Sequence, residues 1–226
     1  VLPDTRPNID FNKYGICSVC SSATNKDKIN WKKQRIKFIN LVKKIKSKSL
    51  GYDILIPVSG GKDSTWQVIK CLEYGLKPLC FSWRPPSRTK LGQANLNNLI
   101  KLGVDHIDYS INPNTEKKFL IRALKRYGAV AIPMHMAIFN LAPSLAIRFD
   151  IPLIVWGENS AFEYGSDEES HNGFSMDEAW FKIFGVTHGT TSEDWIDDKL
   201  TKKDLTPYSS PNYQLMNQKK IKAIFL

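Results

Sequence analysis

An apolar run, Ile54-Leu55-Ile56-Pro57-Val58, passes directly into Ser59-Gly60-Gly61-Lys62-Asp63-Ser64-Thr65 and then into a stretch of helical character from Trp66 to Leu72. Strand, glycine turn and helix in immediate succession leave few folds open. Adjacent glycines let the backbone turn tightly with its N–H groups facing outward. The helix that follows adds unpaired donors and the positive end of a dipole, so the whole unit is a cradle for phosphate. Its spacing is not the Walker pattern, which needs four residues between the first glycine and the Gly-Lys pair. A bare Ser-Gly-Gly would serve equally well as an ordinary turn. The complete string, set between a strand and a helix, argues for the cradle.

The remainder of the chain repeats that alternation. A helix runs to Tyr74 and is stopped by Gly75; a strand follows over Pro78 to Trp83; a helix near 89–102 ends at Gly103; a short strand begins at Ile107. A helix near 114–127 ends at Gly128, and a long apolar helix near 134–149 leads into a strand over 152–156. Alternation of this length predicts an α/β fold, an open parallel sheet with helices on both faces. Right-handed crossovers make such a sheet Rossmann-like, with ligands at the carboxyl ends of its strands. Residues 1–25 read as irregular. Residues 1–48 form a first unit, a Cys-x-x-Cys segment with a basic helix, and 49–226 the nucleotide-type domain. Over 160–215 the periodicity fades, which predicts a loop-and-helix insertion near the site. The last residues, Ile221 to Leu226, read as a strand with no turn or polar tail, so the protein is expected to continue beyond them.

Composition excludes some classes. No apolar run approaches the roughly 18–20 residues that span a bilayer, and the opening residues carry no signal-peptide pattern; the expected setting is the cytoplasm. The formal charge of +10 hides a polarised chain. Residues 26–48 hold ten Lys or Arg against one Asp, whereas residues 158–198 hold eleven Asp or Glu against one Lys. Trp31, Phe38, Leu41, Val42 and Ile45 recur at helical spacing, which favours the solvated face of a helix over a patch for nucleic acid or a membrane surface.

Within the cradle, backbone N–H groups and the hydroxyls of Ser59, Ser64 and Thr65 suit a pyrophosphate group. Lys62 supplies a point charge, and Asp63 is the natural ligand for magnesium, which takes one or two carboxylates together with phosphate oxygens. Phe81, Ser82 and Trp83 end the neighbouring strand and are placed either to contact adenine or, for the two aromatics, to fill the core. A second string, Trp156-Gly157-Glu158-Asn159-Ser160-Ala161-Phe162-Glu163-Tyr164-Gly165, also begins where an apolar strand ends. Sheet geometry would bring it to the same crevice. Glu158 and Glu163 offer carboxylates for magnesium or proton transfer, and Asn159 can read an amide or hydroxyl. Cys17 and Cys20 make half a zinc knuckle, a reduced pair or a partial Zn2+ site, because a structural zinc wants four ligands. Cys71 and Cys80, in apolar surroundings, read as buried thiols.

Three strings together resemble the N-acetyl sugar amidotransferase family of PP-loop ATP pyrophosphatases: Pro3-Asp4-Thr5-Arg6-Pro7 with Gly15-x-Cys17-x-x-Cys20, the Ser59–Thr65 loop, and the Trp156–Gly165 string. The resemblance implies ATP and Mg2+ as cofactors, with the Ser59–Thr65 loop and Gly157 on ATP and Asp4, Arg6, Asn159 and Tyr164 on the acceptor. It implies Lys62, Asp63, Glu158 and Glu163 as the catalytic set. The implied reaction turns the acetamido group of a bacterial N-acetylated nucleotide sugar, or of a nonulosonic acid, into an acetamidino group, as in lipopolysaccharide and O-antigen biosynthesis. It further implies ammonia from a glutaminase partner resembling the histidine-biosynthesis pair, since no Cys/His nucleophile arrangement for a glutaminase is present in this chain. The family usually has a Cys-x-x-Cys pair before the Pro-Asp-Thr-Arg-Pro string and continues past an Ile-Phe-Leu strand; neither is found here. The competing expectations are a tRNA-thiolating PP-loop enzyme, favoured by the basic helix but opposed by the acidic 158–198 stretch, and a non-catalytic ATP-binding module.

Overall fold

Runs such as Ile54-Leu55-Ile56 and Leu153-Ile154-Val155 carry no polar side chain on either face, which only a strand covered on both sides can satisfy. In the computed structural model, which describes residues 9–23, 30–47, 49–157 and 185–226, they form the centre of a parallel sheet. Its strands are β1 (Ile54–Pro57), β2 (Pro78–Trp83), β3 (Asp105–Tyr109), β4 (Leu153–Trp156) and β5 (Lys222–Phe225), in the order β3-β2-β1-β4-β5. Leu55 pairs with Leu79 on one side and Ile154 on the other. The expected α/β architecture, a Rossmann-like open parallel sheet, is the observed one.

Helices cover both faces. On one side, α2 (Trp31–Lys46), α3 (Lys62–Glu73) and α4 (Lys90–Ile100) deliver Val42, Ile45, Val68, Cys71, Leu96 and Leu99 against Ile54, Ile56 and Val155. On the other side, α5 (Pro113–Tyr127), α6 (Ile132–Arg148) and α7 (Tyr213–Gln218) bring Phe119, Ala123, Met136, Ala137, Leu141 and Met216 against Leu55, Phe81, Ile154 and Trp156. Successive strand residues thus alternate between two cores, as the two-residue period of a strand requires.

Local chemistry sets the boundaries. Gly75 and Gly128, at φ 68° and 66°, take the left-handed conformation that ends α3 and α5 and that costs a glycine least. Thr89 and Asn112 cap α4 and α5 with side-chain oxygens. Two expectations change. The segment read as irregular contains a short helix, α1 (Ser18–Ala23). Trp31, counted on the apolar stripe of α2, is 62% exposed, and of that helix only Val42 and Ile45 are buried. In the former loop region, 3-10 turns at Ser192–Trp195 and Thr206–Tyr208 dock Trp195 and Tyr208 on Phe119, each 4.9 Å between ring centres. Residues 192–208 thus pack on the core, while residues 160–184 of the expected loop-and-helix insertion lie outside the described residues. Among the described residues no helix is long and apolar enough to cross a membrane.

Candidate functional site

The strand order reverses between β1 and β4: the chain moves outward through β2 and β3, then returns to β4. Open α/β sheets form their ligand crevice at the carboxyl ends of the two strands flanking such a reversal. A cavity of about 780 Å³ lies there, lined by the ends of β1, β2 and β4, by the start of α3, by the loop after β2 and by one face of α6.

The glycine loop forms one wall. Gly60 has φ 80°, and a Cβ on it would stand 2.8 Å from the backbone nitrogen of Leu96, so only glycine lets the loop lie against α4. Ser59 Oγ accepts from the Gly61 N–H at 3.2 Å, while Ser64 Oγ and Thr65 Oγ1 donate to the Gly61 carbonyl at 3.2 and 2.9 Å. These bonds hold the turn shut upon itself. Gly61 occupies the N-cap of α3 with no side-chain cap, which leaves the first N–H groups of the helix available to an anion. Ser59, Gly61, Asp63 and Ser64 line the cavity; Gly60, Lys62 and Thr65 do not. Lys62 Nζ bridges the Asp63 carboxylate at 2.7 and 3.0 Å. Both are well exposed, 88% and 57%, and so can rearrange around a polyanion. One accessible carboxylate beside the start of α3 fits a magnesium ion whose other ligands are phosphate oxygens and water.

The β2 end forms the second wall. Phe81 is 1% exposed and belongs to the core, yet it borders the cavity with Trp83. Ser82, on the opposite face, lies 2.7 Å from His106 Nε2 on β3. Burial holds the His106 imidazole below its ordinary 6.5, partly opposed by Asp108. Asp108 is itself gripped by Arg88, two bonds of 2.7 Å in the fork geometry of guanidinium and carboxylate.

At the end of β4, Trp156 and Gly157 complete the crevice beside Gln67 of α3. Glu158, Asn159, Glu163 and Tyr164 lie outside the described residues, as do Asp4 and Arg6. Cys17 and Cys20 are free thiols, the Cys20 N–H donating to Cys17 Sγ at 3.5 Å. That bond and the Cys20 thiol lower the Cys17 thiol from its usual 9.0. Among the described residues no group of three or more His, Cys, Asp or Glu could hold a metal ion; the pair supplies half of a tetrahedral zinc site and does not by itself fit the ion.

Gln67, Arg88, His135 and Phe139 border the cavity but were not among the residues singled out from the sequence. The loop after β2 follows a strand's carboxyl end, which was a usable signal for Arg88. For the others no spacing exists to find them: they come from the middle of α3 and from α6, and only packing brings them to the crevice.

No protein-family model matches the chain, and no curated protein matches it. Among solved structures, NMN synthetase from Francisella tularensis superimposes with a TM-score of 0.43 at 17% identity, over 59% of this chain and 56% of its own. A predicted subunit of a tRNA methyltransferase from Methanocaldococcus jannaschii superimposes with a TM-score of 0.39 at 16% identity, over 76% of this chain and 66% of its own. The chain thus spans less than two thirds of the length of either.

Proposed function

We propose that the chain is an ATP-dependent enzyme of the PP-loop pyrophosphatase type. We further propose that it activates the acetamido oxygen of an N-acetylated sugar and replaces that oxygen with ammonia nitrogen. The observation that carries the first part is the uncapped start of α3 at the sheet's reversal point, with Asp63 and Ser64 on the cavity wall. The second part rests on the resemblance of the three strings.

An amide carbonyl is a poor electrophile. In this reading the amide oxygen attacks the α-phosphorus of ATP, and the bond to pyrophosphate breaks, leaving an adenylylated imidate. Ammonia adds to the imidate carbon, the C–O bond breaks, and AMP departs; ammonia gives up one proton and the product leaves as the amidinium. The helix N–H groups and Lys62 stabilise the charge that accumulates on the leaving pyrophosphate. Asp63 would hold the magnesium ion, which when bound neutralises phosphate charge. Arg88, fixed by Asp108, borders the β2 side where a nucleoside would lie. The proposed setting is cytoplasmic, with ammonia from a separate glutaminase subunit.

The test is pyrophosphate release from ATP in the presence of a nucleotide-linked N-acetylated sugar and ammonium. Release that requires both is expected. ATP binding with no turnover for any acceptor would favour a nucleotide-sensing module, and tight, strongly salt-dependent binding of bulk tRNA would favour the thiolation reading.

A further inference from the structure

We propose that the outer face of α2 is a docking surface for an anionic lipid bilayer: its lysines lie on lipid phosphates, and Ile36 enters the headgroup layer. No residue of α2 borders the cavity, so the surface is independent of the reaction proposed there.

The helix carries Lys32, Lys33, Arg35 and Lys37 in its first half and Lys43, Lys44 and Lys46 in its second, with no Asp or Glu. These seven charges compare with a net +10 for the whole chain. All seven side chains are exposed, and among the described residues none makes an ion pair. Cations elsewhere do find acids, as Arg88, Arg122 and Lys219 show. From Lys32 to Lys46 the row runs about 21 Å at the rise of an α-helix. Like charges so close repel one another, and an anionic surface turns that repulsion into attraction.

The other side of the helix is fixed. Val42 and Ile45 are buried, and the Phe38 ring meets Tyr74 edge-on at 5.1 Å. The basic face is therefore held outward on a firm support. Within it Ile36 is 59% exposed, with Lys32, Lys33 and Asn40 one turn away on the same side. Just past the last lysine, Leu50 is fully exposed.

The composition of this face chooses between partners. Protein interfaces are depleted in lysine and place apolar residues at their centre; here lysine dominates. Nucleic acid is gripped by arginine forks and aromatic stacking, whereas six of these seven cations are lysines and the apolar residue among them is an isoleucine. A bilayer rich in anionic lipid asks only for many point charges on one side of a helix and an apolar side chain that reaches the acyl boundary.

The experiment is cosedimentation with phosphatidylcholine vesicles, with and without phosphatidylglycerol at about one lipid in three. The chain should bind the phosphatidylglycerol vesicles, release them as salt rises, and ignore phosphatidylcholine alone. Lys33→Gln/Lys43→Gln/Lys44→Gln should weaken binding about 100-fold, at roughly 5-fold per charge. The same charge removed from another exposed stretch, in Lys199→Gln/Lys202→Gln/Lys203→Gln, should weaken it less than about 3-fold. Ile36→Ser should weaken it at least about 3-fold. Equal binding to the two kinds of vesicle, equal loss in the two triple variants, or no loss in Ile36→Ser overturns the proposal. Bulk tRNA bound more tightly than the anionic vesicles at the same salt overturns it in favour of nucleic acid. The wild-type vesicle comparison decides the matter even if a variant fails to fold.

Discussion

The Gln67 carboxamide abuts Gly157: a Cβ on the glycine would stand 3.1 Å from Gln67 Oε1. Gln67 is 1% exposed, and among the described residues neither of its amide atoms has a hydrogen-bond partner. Replacing an unpartnered buried amide by an apolar group of similar shape removes a penalty without removing a bond. Gln67→Met is therefore expected to leave stability unchanged or raise it by about 1 kcal/mol in urea unfolding. A loss of more than that would mean that the amide serves the fold.

Gly60 should tolerate no side chain. Its φ of 80° strains any L-residue by about 1–2 kcal/mol, and the added Cβ would also press on the Leu96 backbone at 2.8 Å. Gly60→Ala is expected to destabilise the chain by at least about 2 kcal/mol and to weaken ATP binding. Chemical denaturation and nucleotide titration measure the two effects.

Lys62 and Asp63 predict the opposite combination. Their side chains are 88% and 57% exposed, so Lys62→Ala and Asp63→Ala should shift stability by no more than about 0.5 kcal/mol. Pyrophosphate release should fall at least about 100-fold in each, the scale for one lost electrostatic contact to a developing charge. Retained turnover in both variants would break the proposed chemistry.

The Ser82–His106 pair gives stability a pH dependence of known sign. The folded state holds His106 below 6.5, so protonation favours the unfolded chain. Its contribution is complete above pH 6.5 and is lost as pH falls from there through the lowered value. Urea midpoints for wild type and His106→Gln at about pH 7.5 and about pH 5 isolate it. The wild type is expected to lose more stability than the variant over that interval.

Thiol labelling separates the cysteines. Cys71 and Cys80 are 0% exposed, and burial pushes both thiols up to about 12; they should stay unlabelled by an aromatic disulfide reagent until the chain unfolds. Cys20 is exposed, with its thiol raised by the hydrogen bond to Cys17, whereas Cys17 is lowered but buried; Cys20 should therefore be the thiol that reacts in the native state, and faster as pH rises.

What the sequence made legible was local. An apolar run ending in two glycines announces a strand and a turn by itself, and Gly75, Gly103 and Gly128 mark helix ends because their conformations are written into the residue type. The parallel sheet followed from alternation alone. The far wall of the cavity did not, because nothing within α6 distinguishes His135 and Phe139 from core residues. Their meeting with Trp156 depends on how one helix lies across one strand. Trp31 failed for a related reason: helical spacing reports which residues share a face, not which of them a neighbouring element covers. Arg88 and Asp108 are twenty positions apart in the chain, and only the pairing of β2 with β3 brings them together.

The sheet order also governs the way the chain is made. β1 lies between β2 and β4, and β4 leaves the ribosome after β2 and β3. Until it arrives, a nascent sheet of β3, β2 and β1 exposes the Ile54-Leu55-Ile56 edge with its backbone groups unpaired, the configuration that recruits stray strands. Closing the Leu55 to Ile154 pairing is a long-range step of the kind that slows folding. During synthesis, then, the strand whose end later borders the crevice carries an open edge that a chaperone would shield.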